Sequence, residues 1–149
     1  MSTSAYLDDL AFAHRLADIA DAITLDRYQA QDLAISTKPD NTPVTDADRS
    51  TEQAITAAIA KERAQDGIVG EEFGNSKESA QRYWVIDPID GTTNFVNGVP
   101  HTAISVGVYK DKKPYLKSKL LFQETKFENL KNYENCFWLN DIENDQLYE

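Results

Sequence analysis

Apolar positions Tyr6, Leu10, Ala13, Leu16, Ala17, Ala20 and Ile23 recur at three- and four-residue intervals, which predicts an amphipathic helix from about Ala5 to Tyr28 with one face turned to a core. Leu33 to Ser36 reads as a short strand, and Lys38-Pro-Asp-Asn-Thr-Pro43 has the composition of a turn. A second helix starts at Thr45. Its apolar face is Thr51, Ala54, Ile55, Ala58 and Ile59, Thr45 and Asp48 are spaced as a capping pair, and its end falls between Arg63 and Gly67. The period then changes to two. Gly67-Ile-Val-Gly70 runs into Glu71-Glu72, and Tyr83-Trp-Val-Ile86 runs into Asp87, so two predicted strands end in carboxylates. From Thr102 to Val108, Ala103, Ser105 and Gly107 alternate with Ile104, Val106 and Val108, as in a strand pressed on one face against a neighbouring layer. Lys110 to Lys113 reads as a hairpin turn, with Leu116, Ser118, Leu120 and Phe122 on the return strand. The order predicts an α/β layered sandwich, two N-terminal helices packed on a mostly antiparallel sheet.

The chain has 149 residues, 41% of them hydrophobic, which suits one domain with one sizeable core. Its net charge of −10 argues against nucleic acid as a partner, because such surfaces need cationic stripes to displace counterions. An anionic substrate would need a metal to approach it. A single cysteine, Cys136, excludes an internal disulfide framework and a cysteine-rich zinc site. Apolar runs fall well short of the roughly 20 residues that cross a bilayer, and the N-terminus has no basic-then-apolar leader, so the expectation is a cytoplasmic protein with no membrane partner. Composition breaks near Val108. All sixteen alanines and all five arginines precede it, and the remainder uses lysine alone as its cation. Residues 1–122 are therefore expected to carry the chemistry, and residues 123–149 to form a divergent tail. There Phe127, Leu130, Glu134 and Phe137 have helical spacing, and Cys136-Phe-Trp-Leu139 is suited to cover a sheet face.

Chemistry is expected where the strands end. Asp87 and Asp90 flank a Pro-Ile step, one at the strand terminus and one on the turn, and Glu71 can join them from the neighbouring strand end. Magnesium takes an octahedron of oxygens at about 2.0–2.1 Å, several of them water, so these carboxylates with the Ile89 carbonyl make a sufficient protein shell. Gly91 lets a ligand approach the backbone, and if Asp90 to Phe95 begins a helix, the Gly91 and Thr92 amides face a phosphate while the Thr92 hydroxyl orients a water. A lone Asp48 is better read as a helix-start residue, and His14 and His101 as surface or packing residues. A calcium EF-hand fails on count, since its sixth and twelfth positions from Asp87 fall on Thr92 and Gly98 instead of Gly and Glu.

Gly70-Glu71-Glu72 and Asp87-Pro-Ile-Asp-Gly-Thr92 together resemble the signatures of the inositol-monophosphatase superfamily. The run Thr37-Lys-Pro-Asp-Asn-Thr-Pro-Val-Thr-Asp-Ala-Asp48 is similar to the same family, and the resemblance covers residues 5–116. It implies that Glu71, Asp87 and the Ile89 carbonyl hold one magnesium, that Asp87 and Asp90 contribute to a second, and that Gly91 and Thr92 hold the phosphate. Asp48 with Thr92 would position the attacking water, and Lys38 would lend positive charge nearby. The implied reaction is metal-assisted in-line hydrolysis with the metals about 3.5–4 Å apart. Leu16 to Asp48 looks like the histidinol-phosphate phosphatase branch, which makes histidinol phosphate the first expected substrate. Thr92-Thr93-Asn94-Phe95 and Asn97 look closer to the inositol-phosphate branch, which makes inositol monophosphate the rival. In the family a later Trp-Asp-x-Ala-Ala-Gly motif supplies a further metal-binding Asp. The one tryptophan after the core motif here is Trp138, followed by Leu139, so an inactive remnant that keeps the fold is a third expectation. Asp141 or Asp145 would be the substitute ligand. An uncovered sheet face would favour a homo-oligomer.

Overall fold

A computed structural model describes residues 3–77 and 79–121. Phe122 and the expectations for residues 123–149, including Asp141 and Asp145, lie outside them. Helix α1 spans Thr3–Arg27, strands β1 (Ile35–Thr37) and β2 (Pro43–Thr45) form an antiparallel hairpin, and α2 spans Asp46–Glu62. There follow β3 (Gly67–Gly70), β4 (Gly74–Ser76), β5 (Arg82–Asp90), the short helix α3 (Thr92–Val96), β6 (Ala103–Lys110) and β7 (Lys113–Leu121). The main sheet has the order β4-β3-β5-β6-β7, antiparallel throughout except for the parallel β3/β5 pair. The predicted layered α/β architecture with a mostly antiparallel sheet is the one observed.

Thr45 closes α2 as predicted: its hydroxyl accepts from the Asp48 amide at 3.3 Å, and the Asp48 carboxylate accepts from the Thr45 amide at 2.8 Å, a reciprocal capping box. Three details differ from expectation. Thr45 also ends a strand, β2, since the turn at Lys38–Thr42 folds the chain back on β1. Strand β4 was not predicted, because Gly74-Asn-Ser76 has no apolar residue and is exposed throughout. The turn between β6 and β7 narrows to Asp111-Lys112, both at positive φ (51° and 65°), as two-residue hairpins favour.

One face of the sheet carries both long helices. Phe12, Ala13, Leu16, Ala17 and Ala20 of α1 and Ile55 and Ile59 of α2 pack on Ile68, Trp84, Ile86, Ile104, Val106, Val108 and Leu116. Phe12, absent from the predicted stripe, is buried edge-on against Trp84 with ring centroids 5.2 Å apart. Trp84 Nε1 donates to Asp66 Oδ2 at 2.8 Å, and Arg82 binds both Asp66 oxygens, at 3.0 and 2.9 Å, and Asp9 at 2.8 Å. Because Asp9 lies on α1 and is buried, this network fixes the helix to the start of β5. Among the described residues no helix is long and apolar enough to cross a membrane.

Candidate active site

Strand β5 carries the site because it changes phase near its end. Asp87 pairs with Ser105 and Asp90 with Ala103, so three steps on β5 match two on β6 and one residue is bulged. In a regular strand residues three apart point to opposite faces. The extra residue removes that opposition: Ser105 and Ala103 share a face, and so do Asp87 and Asp90 opposite them. Pro88, which has no N–H to give to the ladder, lies inside the bulge. Ile89 turns instead into a small second core with Ala47 and Phe95, flanked by Tyr28 and Leu33.

The parallel register of β3 with β5 ends at Gly70 beside Ile86, so the next residues on each strand, Glu71 and Asp87, emerge side by side. The Glu71 carboxyl lies close enough to Asp87 to act on its ionisation. Burial, then Glu71, then the charge of Asp90 push the Asp87 carboxyl up to about 8, from an ordinary 3.8. Asp87 Oδ1 is buried without a hydrogen-bond partner. Lys38, on the turn between β1 and β2, supplies a counter-charge, with its ammonium 2.7 Å from Glu71 Oε1 and 2.6 Å from Glu72 Oε1. The hydrogen bond to Glu71 and the two ion pairs outweigh partial burial and raise the Lys38 pKa, so the ammonium stays charged.

The opposite wall comes from α2 and α3. Asp48 is 1% exposed, and its Oδ2 accepts from the Thr45 amide and, at 2.6 Å, from the Thr45 hydroxyl. Its Oδ1 lies 2.9 Å from Thr92 Oγ1, which is also 3.0 Å from the Ile89 carbonyl oxygen. A hydroxyl has one proton, so Thr92 donates to one of these acceptors at a time and keeps acceptor capacity for another group. The helix begins two residues later than expected, at Thr92: Asp90 still belongs to β5, and Gly91 is the cap of α3. Gly91 sits at φ +97°, and a Cβ there would stand 3.0 Å from the His101 carbonyl oxygen, which Asn94 Nδ2 holds at 2.9 Å. Gly91→Ala should therefore cost about 2 kcal/mol, by left-handed strain plus a contact that cannot relax freely. Gly74→Ala, at φ +76° with open space around it, carries the strain alone and should cost less. Thermal melts of the two variants measure the difference, and equal losses would contradict the close contact.

All the predicted site residues thus lie around the end of β5: Glu71, Asp87 and Asp90 on one side, Asp48, Gly91 and Thr92 on the other, with the Ile89 carbonyl next to Thr92. Among the described residues no three His, Cys, Asp or Glu side chains close into a ready metal cage. The donor set nevertheless fits a hard divalent cation. It is all oxygen, and it includes a buried carboxylate oxygen with no donor, held against two further carboxylates that destabilise its charge. Sequence reasoning missed Glu52, a buried carboxylate one turn beyond Asp48 on α2. The i to i+4 spacing was the available signal.

The sequence profile of the inositol monophosphatase family matches residues 7–116. The chain belongs to that family. It is 50% identical over 108 residues to a histidinol-phosphatase of Streptomyces coelicolor, an alignment that covers 72% of this chain and 40% of that protein. Among solved structures, the extragenic suppressor protein SuhB of Bartonella henselae superposes with a TM-score of 0.72 at 28% identity, over 76% of this chain and 45% of that one. An inositol monophosphatase from Zymomonas mobilis superposes with a TM-score of 0.66 at 41% identity, over 81% of this chain and 45% of that one. The chain thus spans less than half the length of these relatives, and it includes both carboxylate-bearing strand ends.

Proposed function

We propose that the chain carries the metal- and phosphate-binding part of a magnesium-dependent phosphomonoesterase whose preferred substrate is histidinol phosphate. The observation that carries this reading is Asp87: a half-buried carboxylate with one buried, unpartnered oxygen, facing Glu71 and Asp90, near the end of a strand whose bulge aligns it with Asp90. Glu71, Asp87, Asp90 and the Ile89 carbonyl would hold magnesium, which when bound neutralises phosphate charge and acidifies a water. Asp48 fixes the Thr92 hydroxyl, and Thr92 Oγ1 then accepts a hydrogen bond from the attacking water and aligns it with the phosphorus. The proton released from that water has a path through Thr92 to Asp48 Oδ1, 2.9 Å away. The Gly91 and Thr92 amides, which precede the first hydrogen bond of α3, bind the phosphate oxygens, and no covalent phosphoenzyme is required. A net charge of −10 fits a small substrate drawn in by a metal and disfavours a polyanion. Cytoplasmic histidine metabolism is the setting this substrate implies.

The substrate preference rests on the 50% identity to the Streptomyces histidinol-phosphatase. Inositol monophosphate is the second reading, favoured by the 41% identity to the Zymomonas inositol monophosphatase. Phosphate release from each compound, with and without magnesium, separates them. Faster release from histidinol phosphate, abolished by chelation and in Asp87→Asn, is the expected result. Faster release from inositol monophosphate would reverse the order, and no release from either by folded, metal-loaded chain would mean that this portion keeps the fold without the activity.

A further inference from the structure

Helix α2 places two acidic side chains on one buried face, four residues apart. Asp48 reaches toward Thr92, as described above. Glu52, also 1% exposed, reaches the other way, to the turn that follows β3. Its Oε2 accepts from the Glu72 amide at 2.8 Å and its Oε1 from the Phe73 amide at 3.0 Å, so the two carboxylate oxygens grip successive N–H groups of one turn. Gly70 leaves the room for this grip. A Cβ on Gly70 would lie 1.9 Å from Glu52 Oε1. An aliphatic side chain at position 52 would fill the same space without the cost of burying a charge, so the carboxylate is there for the two amides it accepts from.

We infer that Glu52 is a positioning residue for the proposed metal site: by holding the Glu72 and Phe73 amides it sets the backbone from which Glu71 is presented to Asp87. This rests on the metal-binding reading above and deepens it. Glu71 is the one acidic member of the proposed donor set that lies off β5, on a turn, and its side chain is substantially exposed, so little packing orients it. Its direction follows from the turn and from the Lys38 ion pair, and the turn is tied to α2 through Glu52. One helix therefore fixes the spacing between the Asp48–Thr92 pair and the Glu71 carboxylate.

Glu52→Gln keeps the shape and leaves one acceptor oxygen, while the new NH2 group faces an N–H donor, so one of the two bonds is lost. The experiment is Mn2+ binding to the purified full-length chain, free Mn2+ being read by its electron paramagnetic resonance signal. Amide hydrogen exchange at Glu72 and Phe73 is measured on the same proteins without metal. The expected result is Mn2+ affinity about 10- to 100-fold weaker in the folded variant, with loss of protection at one or both amides. A purely structural role would lower the melting temperature and leave the affinity of the folded protein unchanged. Unchanged affinity in Glu52→Gln, while the wild-type chain binds Mn2+, would overturn the positioning role and leave the metal reading standing. A wild-type chain that binds no Mn2+ would overturn both. If Glu52→Gln does not fold, Gly70→Ala displaces the same carboxylate without removing it and must weaken Mn2+ binding in the same way.

Discussion

Asp87→Asn should make the metal-free protein harder to melt near pH 8 and at the same time abolish its stabilisation by magnesium. The sign follows from the direction of the Asp87 shift. A carboxyl raised from 3.8 to about 8 holds a proton in the folded protein that the unfolded chain has released. Its contribution to stability is full below about pH 4 and is lost as pH rises through the folded value. At pH 8 the metal-free native state therefore carries this half-buried carboxylate about half ionised beside Glu71 and Asp90, and removing that charge should gain about 1–2 kcal/mol after allowance for solvent screening. In melting temperature this is roughly 3–6 °C, and the gain should shrink toward pH 4. Magnesium acts oppositely on the two proteins. Bound at about 100 times its dissociation constant it should stabilise the wild type by about 2.7 kcal/mol, and the variant by little or nothing. Melts at pH 5 and pH 8, with chelator and with saturating magnesium, test both halves. A variant that melts lower than wild type at pH 8 in chelator would show that Asp87 is structural.

Trp84→Ala should have the largest effect on the fold itself. The indole is 0% exposed, stacks edge-on with Phe12 of α1, and donates to Asp66 from near the start of β5. Its truncation removes the largest buried side chain in the sheet core and leaves a cavity between helix and sheet, at about 3–5 kcal/mol. For a chain of this size that is roughly a 10–15 °C fall in melting temperature. Trp84→Phe keeps most of the volume and loses the hydrogen bond, and Arg82 still holds both oxygens of Asp66, so it should cost only about 1–2 kcal/mol. Equal losses in the two variants would place the energy in the hydrogen bond instead of the packing.

The parts of the fold that the sequence made legible are those with a periodic signal. The apolar stripes of α1 and α2, the capping pair Thr45 and Asp48, and the strands running into Glu71 and Asp87 are all local patterns, and they appear close to where the pattern puts them. Strand β4 was invisible because a three-residue exposed edge has no apolar phase to read. The Asp9, Arg63, Arg82 and Asp66 network was equally invisible, since its partners lie between 16 and 73 residues apart and each alone looks like a solvated charge. The site was legible in its residue types and not in its arrangement. Asp87 and Asp90 were recognisable as a pair, but only the offset against β6 shows why a three-residue spacing puts both on one face. Glu52 escaped because a glutamate on a helix is ordinarily surface, and its partners are backbone amides that no side-chain pattern announces.

The bulge in β5 also sets what kinds of change the strand can absorb. Upstream of it, Trp84 and Ile86 keep one phase with the core; downstream, Asp90 keeps another with Asp87. Either set can drift by substitution without disturbing the other, because different faces and different neighbours judge them. Length is another matter. Removing a single residue between Asp87 and Asp90 would leave them two apart and still on one face, but without the bulge that turns Ile89 into the second core, whereas adding one with the bulge kept would send Asp90 to the helix side of the sheet. This stretch can therefore vary in spelling while its residue count stays locked.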